Sequence, residues 1–170
     1  RLGIYFLETG SAMRASNVVY DRAHSSISTA TADEFNFDEI FADADWFHFT
    51  GITPAVSDAA IELTEAALKA AKAHGVTVSV DLNFRKKLWS SEKAQKVMTN
   101  LMQYVDVCIG NEEDAEKVLG FKPGNTDVTS GELELAGYVD IFNQMADKFG
   151  FKYIISSLRE SHSASNNDWS

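Results

Sequence analysis

Val76-Thr77-Val78-Ser79-Val80-Asp81-Leu82-Asn83-Phe84-Arg85 is a β-branched run that ends in a carboxylate, an amide and a guanidinium spaced two residues apart. Along a strand every second side chain shares a face, so Asp81, Asn83 and Arg85 are expected on one side. A helical pattern closed by Gly75 precedes the run, and another opened by Ser90 or Ser91 follows it. The run therefore reads as a buried strand inside a helix-strand-helix unit. Ligands of open α/β sheets bind beyond the carboxyl ends of such strands, which makes these three residues the first candidates for a polar site. The spacing is equally met by Asp81 capping a turn and Arg85 pairing with a surface carboxylate, since α/β loops are often polar without binding anything.

The 170 residues, 45% of them apolar, suffice for an ordinary single-domain core. A formal charge of -10 argues against a nucleic-acid footprint, because phosphate binding needs clustered Lys and Arg and the longest basic run is Arg85-Lys86-Lys87. An acidic chain can still hold an anion locally. Cys108 is the single cysteine, so no intramolecular disulfide forms; set in the apolar run from Val105 to Ile109, it reads as an inert buried thiol in a reducing compartment. No apolar stretch approaches the roughly 20 residues that cross a bilayer, and the N-terminus carries no signal-peptide pattern. A soluble cytoplasmic protein with no membrane or nucleic-acid partner is expected. The chain opens at once into the run Leu2 to Leu7 and stops in the polar run Ser161 to Ser170, so it reads as the middle of something longer.

Gly3 to Leu7 and Val18 to Arg22 are β-prone runs joined by Thr9 to Asn17, a loop wide enough for a hairpin. Tyr5, Tyr20 and Arg22 read either as cross-strand packing with a solvated arginine or as a two-stranded lid turned onto an anionic or polyhydroxylated ligand. Thr31 to Phe41 suits a short helix, and Ala44 to Thr50 a strand in which His48 alternates with Phe47 and Phe49. His48 is expected to be a hydrogen-bonded core residue, since no Cys, Ser or second His lies at nucleophile or metal spacing. Gly51-Ile52-Thr53-Pro54 makes a turn, and Ser57-Asp58 caps a helix with Ile61, Leu68 and Ala71 on one stripe. Ala94, Val97, Met98, Leu101 and Met102 repeat at helical spacing before the strand Val105 to Ile109.

Gly110-Asn111-Glu112-Glu113-Asp114 follows that strand. An N-cap with carboxylates complementing the helix dipole accounts for it as structure; a site holding Mg2+ through water accounts for it as function, since magnesium favours oxygen ligands. Thr129 and Glu132 have capping-box spacing, Leu135, Val139, Phe142 and Phe149 form a last helical stripe, and Tyr153-Ile154-Ile155 the last strand. Strand-helix alternation of this kind implies a parallel sheet with right-handed crossovers.

Gly3-Ile4-Tyr5, Tyr20-Asp21-Arg22, the run Phe47 to Ala55, Asp81-Leu82-Asn83-Phe84-Arg85 with Leu88-Trp89, and Asn111-Glu112-Glu113-Asp114-Ala115-Glu116 together resemble the ribokinase-like (PfkB) carbohydrate kinases over essentially the whole chain. The resemblance implies a doubly wound, mostly parallel α/β sheet flanked by helices, with a small β-lid in residues 1–24 and a partial kinase core in residues 25–170. It also implies ATP- and Mg2+-dependent phosphorylation of the terminal hydroxyl of a deoxy keto-sugar acid, with 2-keto-3-deoxygluconate the expected acceptor. A fructokinase-like enzyme acting on a neutral sugar, a noncatalytic sugar-binding module and half of a (β/α)8 barrel are the alternatives, the opening hairpin arguing against the barrel.

By the family's motifs, Tyr5, Tyr20, Arg22 and Arg85 hold the sugar acid, a guanidinium fork matching a carboxylate. The backbone around Gly51 and Ile52 lines the pocket beside Asp81 and Asn83. The family's Asn-x-x-Glu motif, tied to magnesium and phosphate organisation, falls on Asn111 and Asp114, with Asp in place of Glu and Glu113 as a neighbouring substitute. Arg159 stands where relatives carry a basic residue and is expected to face the nucleotide phosphates. The glycine-rich substrate segment and the Gly-Ala-Gly-Asp motif that supplies the family's catalytic base do not occur in this sequence, so no base is expected within it. Pairing of relatives through lid strands implies a homodimer.

Overall fold

In the computed structural model, which describes residues 1–122, 131–156, 159–161 and 167–169, the opening runs form an antiparallel pair. These are β1 (Ile4–Glu8) and β2 (Asn17–Asp21), with Tyr5 opposite Tyr20. Helix α1 (Ser26–Thr29), a 3-10 turn (Ala32–Glu34) and α2 (Phe37–Phe41) lead to strand β3 (Trp46–Thr50). Helices α3 (Ile52–Ala55) and α4 (Asp58–Ala73) precede β4 (Thr77–Asp81), and α5 (Ser91–Leu101) precedes β5 (Val107–Ile109). Helix α6 (Glu112–Asp114) continues as a π-helical turn (Ala115–Leu119), and α7 (Gly131–Phe149) leads to β6 (Tyr153–Ile155). A further antiparallel pair follows, β7 (Arg159–Ser161) and β8 (Asn167–Trp169), of which β8 and the last residue of β7 fall in the run read from sequence as a polar tail.

Strands β3, β4, β5 and β6 pair in that order and all in parallel, giving the helix-flanked parallel sheet that the alternation implied. The local signals behave as expected. Ser57 and Ser90 accept the N–H groups of Ala60 at 3.0 Å and Lys93 at 3.3 Å, starting α4 and α5. The expected turn at Gly51 to Pro54 is wound into the single helical turn α3.

The two faces of the sheet differ. Phe49, Val78, Val80 and Cys108 pack into a core with Leu68 and Ala71 of α4, Met98 and Leu101 of α5, and Ile141 and Met145 of α7. Alternation sends Trp46, His48, Tyr153 and Ile155 to the other face, where Trp46 is 57% and Tyr153 68% exposed. His48 is therefore hydrogen-bonded, with Nδ1 2.7 Å from Ser79 Oγ, but it is not a core residue, because edge strand β3 turns it away from Phe47 and Phe49. Ser79 Oγ also accepts the Trp46 indole N–H at 2.7 Å.

Two helical stripes are met in part, with Leu68 and Ala71 of α4 buried as expected. Ile61 is half-buried, whereas Leu63, Ala67, Leu68 and Ala71 are buried in α4. In α7 the core takes Ile141 and Met145, the expected Phe142 and Phe149 pack against it partly buried, and the expected Val139 is exposed. Both helices carry apolar residues at helical spacing on more than one face, and packing selects among them. The Leu135 side chain and the Thr129–Glu132 cap lie outside the described residues.

At the amino end of the sheet the buried Asp106 carboxylate accepts the Val78 N–H at 3.0 Å and pairs with Lys72 and Lys152, each at 3.0 Å. Burial pushes this carboxyl up, but the Val78 N–H and the two ammonium groups outweigh it, so it titrates below the ordinary carboxylate range. Asp106→Ala is expected to cost about 2 kcal/mol in urea unfolding at neutral pH, chiefly because the buried Val78 N–H loses its acceptor. The wild-type advantage is complete above about pH 4 and shrinks as pH falls through the depressed folded-state value, which unfolding midpoints of both proteins from pH 7 downward would record.

Candidate functional site

The chain leaves the sheet at Asp81, and Asn83 adopts φ 41°, in the left-handed region that non-glycine residues rarely enter. Strand alternation therefore does not place Asn83 and Arg85; the loop does. Asn83 Nδ2 donates to Thr50 Oγ1 of the neighbouring strand at 3.4 Å, the Phe84 N–H donates to Asp114 Oδ1 at 2.8 Å, and Arg85 Nη1 donates to the Phe84 carbonyl at 3.1 Å.

A cleft of about 1260 Å3 lies between β2 and the carboxyl ends of β4 and β5. Tyr20 and Arg22 line it from the β1–β2 pair, Asp81, Asn83 and Arg85 from the end of β4, and Asn111, Glu113 and Asp114 from the segment after β5. The Arg22 guanidinium carbon lies 4.0 Å from the Tyr20 ring centroid, a cation-π contact that holds it without neutralising it. Arg1 and Arg14 are ion-paired, to Asp21 and Glu8. Among the described residues neither Arg22 nor Arg85 has a carboxylate within salt-bridge distance.

Burial and then the nearby Asp114 carboxylate raise the Asp81 carboxyl above its ordinary range, while His48, the Asn83 N–H and Arg85 pull against them. Burial, with Asp114 and Asp81 adding to it, pushes the Cys108 thiol up to about 12, in keeping with an inert core cysteine. Asn111 caps its helix as its sequence context suggested. Its Oδ1 accepts the Asp114 N–H at 2.8 Å, and Asp114 Oδ2 accepts the Asn111 N–H at 3.3 Å. Among the described residues no group of three or more His, Cys, Asp or Glu is arranged to hold a metal ion directly. Glu113 is exposed on the cleft wall.

Tyr5, Gly51 and Ile52 stand outside that wall. Tyr5 is connected to it through Tyr20, the ring centroids lying 6.1 Å apart. The Gly51 N–H donates to the Asp81 carbonyl at 2.8 Å, and a Cβ built there would come within 2.2 Å of the Leu82 carbonyl oxygen. Glycine is thus required where β3 passes the end of β4. The Ile52 N–H donates to Thr50 Oγ1 at 3.4 Å. Arg159 falls in β7, and its side chain lies outside the described residues. Lys86 and Lys87 also line the cleft. In the sequence they are marked only as part of the longest basic run, Arg85-Lys86-Lys87.

Residues 1–140 match the profile of the pfkB family carbohydrate kinases. The chain belongs to that family. A 2-dehydro-3-deoxygalactonokinase of Haloferax volcanii is 41% identical over 140 residues, covering 82% of this chain and 43% of that protein. A 2-dehydro-3-deoxygluconokinase of Thermoproteus tenax is 30% identical over 123 residues, covering 71% of this chain and 36% of that protein. The crystal structure of a 2-dehydro-3-deoxygluconokinase from Thermotoga maritima superposes with a TM-score of 0.88 at 49% identity, covering 99% of this chain and 49% of that one. This pfkB-family chain thus spans less than half the length of each of these relatives.

Gly51→Ala is expected to destabilise the protein by about 2 kcal/mol or more, because the new methyl meets backbone that cannot yield cheaply. Gly75→Ala, at φ 72° with nothing within 4 Å of the added Cβ, is the comparison and is expected to cost about 1 kcal/mol. Thermal unfolding of the two variants checks this; equal losses would remove the close approach as the reason for Gly51.

Proposed function

We propose that this chain carries the sugar-acid clamp of an ATP-dependent 2-keto-3-deoxygluconate kinase, which phosphorylates the acid's terminal hydroxyl. The observation that carries the reading is the pair of guanidinium groups, Arg22 and Arg85, facing one cleft without a carboxylate partner among the described residues of a protein whose formal charge is -10. The names of the relatives, which act on 2-dehydro-3-deoxy sugar acids, support the same ligand class.

In this reading the guanidiniums take the substrate carboxylate, bidentate geometry fixing its orientation as well as its charge. Tyr20 holds Arg22 from the lid, and Tyr5 backs Tyr20. Asp81 accepts from, and Asn83 donates to, the sugar hydroxyls. The backbone at Gly51 and Ile52 supports that end of the pocket by fixing the ends of β3 and β4. Asn111 and Arg159 serve the nucleotide side.

Asn111, Glu113 and Asp114 would hold Mg2+ through water. They are hard oxygen donors, and the oxygens of Asn111 and Asp114 already take backbone N–H groups, which suits an outer-sphere contact. When bound, Mg2+ neutralises charge on the transferring phosphoryl group. The chain's own contribution is positioning, on which phosphoryl transfer chiefly depends. Residues 1–24 act as the lid and 25–170 as part of the kinase core. The apolar side chains that β1 leaves exposed, Phe6 at 60% and Leu7 at 58%, support a homodimer through the lid strands. A cytoplasmic location belongs to the same reading; no helix among the described residues is long and apolar enough to cross a membrane.

Arg85→Ala is expected to weaken binding of 2-keto-3-deoxygluconate by about 10- to 100-fold, the range for losing a charge-assisted hydrogen bond, and to leave fructose binding nearly unchanged. Calorimetric titration of both ligands tests this, and equal losses would take away the sugar-acid assignment. Residues 1–170 by themselves are expected to show no ATP-dependent phosphorylation of the acid in a coupled assay. Turnover would place a catalytic base within them.

A further inference from the structure

The Asp114 carboxylate reaches across 30 residues of sequence to the loop that carries Arg85. Its Oδ1 accepts the Phe84 N–H at 2.8 Å, while its Oδ2 accepts the Asn111 N–H at 3.3 Å. An aspartate in a capping position needs only the second of these bonds to serve its helix. The first serves another element. Phe84 is held from both sides, its N–H by Asp114 and its carbonyl by the Arg85 guanidinium at 3.1 Å. No other hydrogen bond or ion pair fixes the Arg85 side chain among the described residues. Asp114 thus fixes the peptide unit that enters Phe84, and the Arg85 guanidinium rests on the carbonyl of the unit that leaves it, so the backbone of this one residue links the carboxylate to the guanidinium.

We infer that Asp114 is a positioning residue for Arg85, holding the guanidinium at the cleft and tying the sugar-acid side of the site to the segment that begins at Asn111. The role rests on the sugar-acid reading for the ligand it names, but the tie itself belongs to the unliganded protein. It has a thermodynamic consequence. A ligand that shifts the Asn111–Asp114 turn changes the affinity of Arg85 for a carboxylate, and the carboxylate changes the affinity of that turn by the same factor.

The test uses the 170-residue chain and the variants Asp114→Ala, Asp114→Asn, Arg85→Ala and the Asp114→Ala/Arg85→Ala double variant, each first checked for cooperative unfolding. In the unliganded protein, Asp114→Ala is expected to speed amide hydrogen exchange at Phe84 by about 10-fold or more while leaving Val80 in the β4 ladder protected, and to shift the Arg85 Nε–H resonance. Asp114→Asn, which keeps one acceptor oxygen, is expected to fall between wild type and alanine and stands in should the alanine variant not fold. Unchanged exchange at Phe84, or an unmoved Arg85 resonance, overturns the inference.

In titrations with 2-keto-3-deoxygluconate, Asp114→Ala is expected to bind about 10-fold more weakly than wild type. The double variant is expected to bind no more weakly than Arg85→Ala alone, because a residue that acts only through Arg85 has nothing left to remove. Additive losses overturn the inference. Failure of the wild-type chain to bind the acid counts against the sugar-acid reading instead, and the exchange and resonance measurements then decide the positioning role by themselves.

Discussion

Strand β4 is hydrogen-bonded along both edges, to β3 and to β5, and this constraint orders the rest of the molecule. Val78, Val80 and Leu82 are almost completely buried, so a slip of one residue would turn the core set outward and bring polar residues in. The register that avoids this sets Thr50, Asp81 and Ile109 side by side at the carboxyl end of the sheet. Everything assigned to the cleft hangs from that level. The loop after Asp81 is bonded to Thr50 on one flank and Asp114 on the other, so the residues beyond the strand inherit their positions from its neighbours.

The two ends of the sheet treat charge differently. At the amino end Asp106 is buried, accepts a backbone N–H and is shared by Lys72 and Lys152. Removing a polar group from water requires such compensation. At the carboxyl end Arg22, Arg85, Lys86 and Lys87 line an open cleft, where a cation with no ion pair among the described residues costs little because solvent screens it. Charge at one end holds strands together, and charge at the other lines the cleft.

The polar segment after β5 shows how one side chain can satisfy two readings. Asn111 and Asp114 form a reciprocal helix cap, which accounts for their residue types without any ligand. The same aspartate also grips the loop after β4. Its carboxylate can do both because its two oxygens point to different donors.

The sequence by itself determined strands β1 to β6, the long helices between them and their order, but not the short turns of helix α1 and α3 or the pair β7–β8. The caps at Ser57, Ser90 and Asn111, the helix stop at Gly75, the alternation along β4 and the burial of Cys108 follow from residues within a few positions of one another, as does the strand-helix pattern that implies a parallel sheet. The family motifs likewise point to Tyr20, Arg22 and Arg85, and the spacing at the end of β4 to Asp81 and Asn83, all of which line one cleft. Tertiary structure alone decided which apolar stripe of α7 faces the sheet, that His48 lies on the exposed face, and that Gly51 serves backbone packing. It also decided that Asn83 leaves the strand, that Lys86 and Lys87 join the cleft, and that Asp114 reaches Phe84. Each of these depends on atoms brought together from distant parts of the chain, and a carboxylate that caps its own helix is written the same way in sequence whether or not a second loop comes within reach.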